Sequence, residues 1–234
     1  RHPLVSYTYE FGKRKDMKLI VALELPGSTT MSIPDQNGAY YVEKVFQDIP
    51  DIPVSFHLKR DRWYLFLATN FRSMKYPISD GKFSKTLSYA FSGNVRFNFY
   101  ETSRSSQRVY LQSTFARGMV DCIQDLDGKG MNILISPTFD KLGINSAFGF
   151  SGAYQFLWGK NQINAIYSMV RVYGDMLKYD DSIYNKGQYI ALNYMRNILT
   201  HGVVGVEALY GDKRVVGGQM YNDLRFNFLL RYDF

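Results

Sequence analysis

The chain ends on Leu224-Arg-Phe-Asn-Phe-Leu-Leu-Arg-Tyr-Asp-Phe234, where apolar and mostly polar residues alternate up to a terminal aromatic. Side chains on a strand point alternately to opposite faces. Leu224, Phe226, Phe228, Leu230, Tyr232 and Phe234 therefore share one face, and Arg225, Asn227, Leu229, Arg231 and Asp233 share the other. A tilted strand of roughly this length, about 9–11 residues, is what crosses a bilayer. One greasy face and one polar face, at membrane-spanning length, constrain the chain more than any other feature.

The rest of the sequence repeats the pattern. Strands are predicted near Val5–Gly12, Met17–Leu25, Val54–Arg60, Trp63–Tyr76, Thr86–Tyr100, Arg108–Gly118, Ala147–Trp158, Ile163–Gly174, Gln188–Leu199, Val203–Tyr210 and Leu224–Phe234. The short links are Lys13–Asp16, Asp61-Arg62, Glu101–Gln107, Gly159–Gln162 and Thr200–Gly202. The long ones are Pro26–Pro53, Pro77–Lys85, Met119–Ser146, Asp175–Gly187 and Gly211–Asp223. This alternation of tight and long connections is the asymmetry of outer-membrane barrels, with short periplasmic turns and long outer loops. A soluble sandwich has no reason to sort its loops in this way. The terminal Phe also resembles the signal by which such barrels are recognised for assembly. The expected fold is an all-β, transmembrane, antiparallel up-and-down barrel in the outer membrane of a Gram-negative bacterium.

Composition agrees with this reading. Aromatic residues make up 16% of the chain and mean hydropathy is slightly negative. No stretch approaches the roughly 18 apolar residues of a membrane helix. The longest candidate is Leu19-Ile-Val-Ala-Leu23. A single cysteine, Cys122, excludes an internal disulfide and a cysteine-based zinc cluster. The net charge of +7 is spread through the strands, without a basic run interleaved with aromatics. Nucleic acid is therefore not an expected partner.

The face of each strand follows from its charges. In Leu87–Phe99, Leu87, Tyr89, Phe91, Val95, Phe97 and Phe99 are assigned to lipid, and Ser88, Ala90, Ser92, Asn94, Arg96 and Asn98 to the lumen. A charge facing lipid at the midplane costs about 2–4 kcal/mol, so Arg96 fixes the inward face. The next strand sorts Val109, Leu111 and Phe115 against Tyr110, Gln112 and Thr114. Arg171 departs from the rule, falling on the face that Tyr167 and Met169 make outward. A bulge or a position at the membrane rim would each reconcile it.

The closing strand ends in the periplasm, so counting back through about eleven strands puts Arg1 on the outer side. Single-chain bacterial barrels have even strand numbers. No signal peptide opens the sequence, and it begins at Arg1 rather than Met. The expectation is that residues 1–234 form an outer-membrane barrel domain lacking its N-terminal strands.

Several ordered segments resemble one family. They are Ala22-Leu-Glu-Leu-Pro26, Ile49-Pro-Asp-Ile-Pro53, the run from Trp63 through Asn70-Phe-Arg72-Ser-Met-Lys75-Tyr76, Gly205-Val-Glu-Ala-Leu-Tyr-Gly211, and Phe234. Their order and spacing are similar to the C-terminal half of the DcaP-like family of trimeric outer-membrane porins. The resemblance implies a barrel of about sixteen strands, preceded in that family by a periplasmic coiled coil, with a lumen suited to small anionic solutes such as dicarboxylates. It also implies a homotrimer. Where the family carries an Arg and an acid after the Pro-Asp motif, this chain has Ser55 and His57.

Parity assigns Lys18, Lys59, Arg72, Arg96, Arg108, Arg225 and Arg231 to the lumen, with Glu10, Glu24, Glu207 and Asp233 as counter-charges. Arg72, Arg96, Arg225, Arg231, Arg108, Lys59, His57 and Glu207 are the candidate pore-lining residues. Rings of fixed positive charge select permeating solutes by sign, and guanidinium groups hold carboxylates and phosphates in bidentate fashion. The competing reading is that each base pairs with an acid and only fills the wall. Arg72 and Arg96, both mid-strand, are the expected constriction.

Asp121, Asp125 and Asp127 before Gly128-Lys-Gly130 lack the order and the closing Glu of a calcium hand, so a turn is expected there rather than a metal. This loop and Pro26–Pro53 either fold inward and narrow the pore or pack on a neighbouring subunit. Catalysis needs a Ser/His or Asp/His constellation. The three histidines, His2, His57 and His201, are scattered, and no Gly-x-Ser-x-Gly elbow occurs. The function expected is a passive porin for small polar, preferentially anionic solutes, not an enzyme, without cofactor or metal. Its surroundings would be outer-membrane lipid and lipopolysaccharide. The alternative is a structural or adaptor barrel with a plugged lumen, which inward aromatics meeting at one height would favour.

Overall fold

A computed structural model describes residues 4–25, 30–34, 40–44, 47, 49–77, 83–136, 142–178, 181–198 and 201–232. Eleven strands form one antiparallel meander: β1 (Leu4–Phe11), β2 (Met17–Glu24), β5 (Ile52–Lys59), β6 (Trp63–Pro77), β7 (Phe83–Glu101), β8 (Ser105–Arg117), β11 (Ser146–Trp158), β12 (Asn161–Tyr173), β13 (Tyr184–Asn197), β14 (Gly202–Val215) and β15 (Met220–Tyr232). Each pairs with the next in that order. All eleven predicted strands are present, with ends shifted by a few residues. Phe234, Asp233 and His2 lie outside the described residues.

Directly opposed residues on neighbouring strands share a face, so the register tests the inward and outward assignments. Arg96 stands opposite Tyr64 on β6 and Tyr110 on β8, and Phe97 opposite Trp63 and Val109. Followed across the sheet, this parity places Lys18, Lys59, Arg72, Arg96, Arg108, Arg225, Arg231, His57 and Glu207 on one face. The opposite face carries a continuous apolar surface, with Phe228 84% and Leu230 79% exposed. Rings stack along it, as in Trp63–Phe97 at 4.1 Å and Phe156–Trp158 at 4.8 Å between centroids.

The β11–β12 ladder runs from Ser146↔Tyr173 to Trp158↔Asn161 without a register shift, so no bulge turns Arg171 inward. It stays outward near the loop end of β12, its guanidinium 5.3 Å from the Tyr173 ring. Of the two explanations, the bulge is excluded and a place near the strand end remains.

Two expectations change. The connection Gly211–Asp223 is not a long loop, because Gly211–Val215 and Met220–Asp223 extend the β14–β15 hairpin and leave only residues 216–219 as the turn. The long segments 26–53 and 119–146 also hold strands of their own. β3 (Thr30–Pro34), β4 (Tyr40–Lys44), β9 (Ile133–Ile135) and β10 (Leu142–Ile144) form a second, four-stranded sheet in the order β10-β9-β3-β4. Their runs are too short for periodicity to reveal.

These segments supply the buried core. Met31, Ile133 and Ile135 close against Met74 and Tyr76 on the inner face of β6. Met119, Val120, Ile123, Leu126, Met131 and Leu134 cover Ala90, Ala116, Ala147, Val170 and Val172 on the inner faces of β7, β8, β11 and β12. The wall offers small or branched residues where the loops bring large ones. Each large apolar side chain buried here contributes about 1.5–3 kcal/mol relative to exposure. Of the two dispositions open to these loops, the structure shows the inward one.

Candidate functional site

The inner face divides into two halves along the strands. Near the loop ends it is covered by the folded loops, and Arg72 is at the centre of the covered part. Its Nε donates to both carboxylate oxygens of Asp51 at 3.1 and 3.0 Å, and Nη2 donates to Oδ2 at 2.7 Å. Asp51 is 3% exposed and takes further bonds from Gln47 Nε2 at 3.0 Å and Asn70 Nδ2 at 3.5 Å. Arg72 Nη1 reaches Asp121 at 3.4 Å, in the short turn Val120–Cys122. One guanidinium thus joins the wall, the entry to β5 and the inward loop.

The loop is braced from within by two buried asparagines. Asn132 Oδ1 accepts from the Asp121 backbone N–H at 3.0 Å, and its Nδ2 donates to the Thr30 carbonyl at 3.3 Å. Asn145 Nδ2 donates to the Met131 carbonyl at 2.7 Å. Gly128 and Gly130 both take left-handed φ, and a Cβ on Gly130 would lie 2.9 Å from Ser32 and Val42 side-chain atoms. The Asp121–Gly130 stretch thus runs through two single-turn 3-10 helices, Val120–Cys122 and Gln124–Leu126, into a closing turn.

Toward the turn ends the inner face is open. A single register row runs Lys59–Tyr64–Arg96–Tyr110–Ala153–Ile166–Ala191–Leu209–Arg225 from β5 to β15. Among the described residues Arg96 makes no ion pair; its guanidinium lies 5.9 Å from the Tyr64 ring, and its buried Nε has no hydrogen-bond partner. Arg108, one row nearer the turns, is likewise without an acid, and its Nε is also unpartnered. Tyr64 and Tyr110 flank Arg96, but the row continues through the small Ala153 and Ala191, which leave space above the wall. His57 is held on both ring nitrogens, by Tyr64 Oη at 3.1 Å and Ser55 Oγ at 3.3 Å, and packs edge-on to Phe66. Arg225 lies 3.6 Å from Asp223, both well exposed.

Beside Arg108 runs a belt that charge-based reasoning did not single out. Tyr110 Oη donates to Gln155 Oε1 at 3.3 Å, Gln155 Nε2 to Asn164 Oδ1 at 3.0 Å, and Asn164 Nδ2 to Asn193 Oδ1 at 2.6 Å. Asn193 Nδ2 then donates to Glu207 Oε2 at 3.3 Å, and Asn227 Nδ2 to Glu207 Oε1 at 2.9 Å. Gln155, Asn164, Asn193, Glu207 and Asn227 occupy one register row. The available signal was the recurrence of amide residues at inward parity on successive strands. Such a network holds each side chain against the wall and fixes the Glu207 carboxylate by two amide donors.

Arg72 and Arg96 do not share a level. Arg72 stands opposite Ser88, eight residues before Arg96 on β7, which is roughly 26 Å along the strand direction.

An up-and-down antiparallel wall, apolar outside, polar inside and packed with its own inward loops, is the architecture of an outer-membrane β-barrel. Over its whole length the chain superposes on the outer membrane channel DcaP of Acinetobacter baumannii with a TM-score of 0.76 at 16% sequence identity. The fold is DcaP-like. This chain spans 62% of the length of that channel. OmpT, an outer membrane protein of Vibrio cholerae, aligns with a TM-score of 0.47 at 12% identity, covering 98% of this chain and 63% of its own. No protein-family model and no curated protein matches the sequence.

Proposed function

We propose that the protein is an outer-membrane porin through which small polar, preferentially anionic solutes diffuse down their gradients. The observation that carries this reading is the pair Arg96 and Arg108, inward on the open half of the wall and, among the described residues, without acid partners. Fixed positive charge at the lumen wall raises the local concentration of anions and lowers that of cations. A permeating carboxylate or phosphate meets guanidinium groups that no acid among the described residues neutralises, and leaves again because neither belongs to a closed binding pocket. Lys59 and Arg225 extend the same row and Arg231 lies on the same face. His57 and Glu207, each held by wall partners, shape the surface. The proposed assembly is a homotrimer in outer-membrane lipid and lipopolysaccharide, and no step calls for catalysis.

The same reading makes residues 1–234 part of a larger wall. β1 and β15 are the two edges of the sheet and do not pair with each other among the described residues. An unpaired strand edge is not sustained in lipid, so further strands would close the barrel. The mass of the mature protein extracted from membranes tests this: a mass near that of these 234 residues refutes it.

The adaptor reading, a barrel with a plugged lumen, is favoured by one observation: the inward packing of residues 119–135 and 31–33 on the wall. Single-channel conductance of the mature protein in planar bilayers separates the two. Open channels with anion preference are expected. Absence of conductance sinks the porin reading, and cation preference sinks the arginine mechanism.

A further inference from the structure

The outward face of the eleven-stranded sheet carries its charges asymmetrically. Toward the loop ends stand Lys75, Lys85, Arg117, Arg171, Lys186 and Arg214, with Asp212 as the only acid among the described residues. Toward the turn ends, among the described residues, Arg196 is alone. Three of these bases form one register row on adjacent strands: Arg171 opposite Lys186, and Lys186 opposite Arg214. Opposed residues of this kind lie about 5 Å apart at Cβ. Like charges so placed repel, and nothing in the sheet's own pairing requires them.

Asp212 offsets only part of this charge. Its carboxylate accepts from Gln188 Nε2 at 2.7 Å and stands 3.9 Å from Arg214 Nε. Arg214 keeps a half-exposed side chain, and Arg171 is steadied over Tyr173 at 5.3 Å. Phe148 lies beside Arg171 and Met220 beside Arg214 in the same row, so the bases border the apolar band. A ligand that neutralises this row must present anionic oxygens from the side, at the level where the band ends.

We propose that Arg171, Lys186 and Arg214 form a docking site for the phosphates of the lipopolysaccharide in the outer leaflet. The assignment rests on the outer-membrane reading above. Guanidinium forks and an ammonium in a row match phosphate oxygens carried on one sugar backbone, and acyl chains below would lie on the adjacent aromatic surface. A free phosphate would gain only the first of these contacts.

Native mass spectrometry of the folded mature protein, titrated with bisphosphorylated lipid A and with its dephosphorylated form, tests the site. The wild type is expected to retain the phosphorylated form selectively. The variant R171Q/K186Q/R214Q is expected to bind it at least about tenfold more weakly, with R196Q unchanged. Equal binding by the triple variant, or equal retention of both lipid forms by the wild type, overturns the assignment. So does a triple variant that loses its oligomeric mass while keeping the lipid, which would make the row a subunit contact. If the triple variant does not fold, the three single variants carry the test, each weakening binding about two- to threefold; three unchanged affinities overturn it. A wild type without the heat-modifiable migration of a barrel would instead remove the outer-membrane reading itself.

Discussion

Arg72 and Arg96 are the same residue type, on adjacent strands and the same face, yet they do opposite work. Arg72 spends its charge on Asp51 and Asp121 and holds a loop to the wall. Arg96 stands between Tyr64 and Tyr110, meets no acid among the described residues, and leaves its charge in the open half. Facing inward is therefore not enough to make an arginine part of the solute path. What decides is whether the fold brings an acid within reach.

The largest effect should come from breaking the latched half. Replacing Arg72 by Met leaves Asp51 buried without its counter-charge, which costs about 3 kcal/mol or more. Chemical denaturation should report that loss, and bilayer recordings should show larger, noisier openings as the 119–146 loop detaches. A quiet wild-type conductance in R72M would dissolve the distinction between the two halves.

Sharpening the open half calls for the converse. R96Q combined with R108Q should lower the anion-to-cation permeability ratio several-fold, measured as a shifted reversal potential across a salt gradient. Its unfolding midpoint should hardly move, because neither base has an acid to lose among the described residues. A destabilised variant with unchanged selectivity would make these arginines wall fillers after all.

A smaller effect is expected at Gly130. Alanine there must adopt left-handed backbone and press on Ser32 and Val42, at a cost of about 1–3 kcal/mol. Part of this will be absorbed locally, so the cleaner signal is proteolytic nicking within 119–146.

The smallest perturbation uses Cys122, in the short turn beside the latch. Burial of its sulfur, and after it the Asp121 carboxylate, push the thiol pKa up to about 12. A raised thiol pKa means little thiolate at neutral pH, so labelling by small alkylating reagents should be slow. The rate should climb about tenfold per pH unit below that value. Asp121→Asn should speed labelling; a rate typical of an ordinary exposed thiol in the wild type would contradict the placement of Cys122.

Much of this protein is written in period-two alternation. The strands of the large sheet, the short turns and the inward parity of every candidate base could be read from residue order, because a strand's faces are fixed by counting. The extension of β14 to Val215 was harder to see, since Gly211-Asp-Lys-Arg looks like a loop and is held in the ladder by Lys186–Tyr189 on one side and Met220–Asp223 on the other. The belt from Gln155 to Asn227 was equally hidden: each amide is unremarkable alone and becomes a network only once the register aligns five strands.

Sequence alone determined that this chain is a one-sided greasy sheet of membrane-spanning strands, because alternation and strand length are local properties. Only the tertiary structure decided which inward arginine meets an acid. Asp51 and Asp121 lie 21 and 49 residues from Arg72 along the chain, and no local pattern links them. Their meeting depends on loops folding back onto the wall, where buried methionines and isoleucines hold them and the ion pair completes the join.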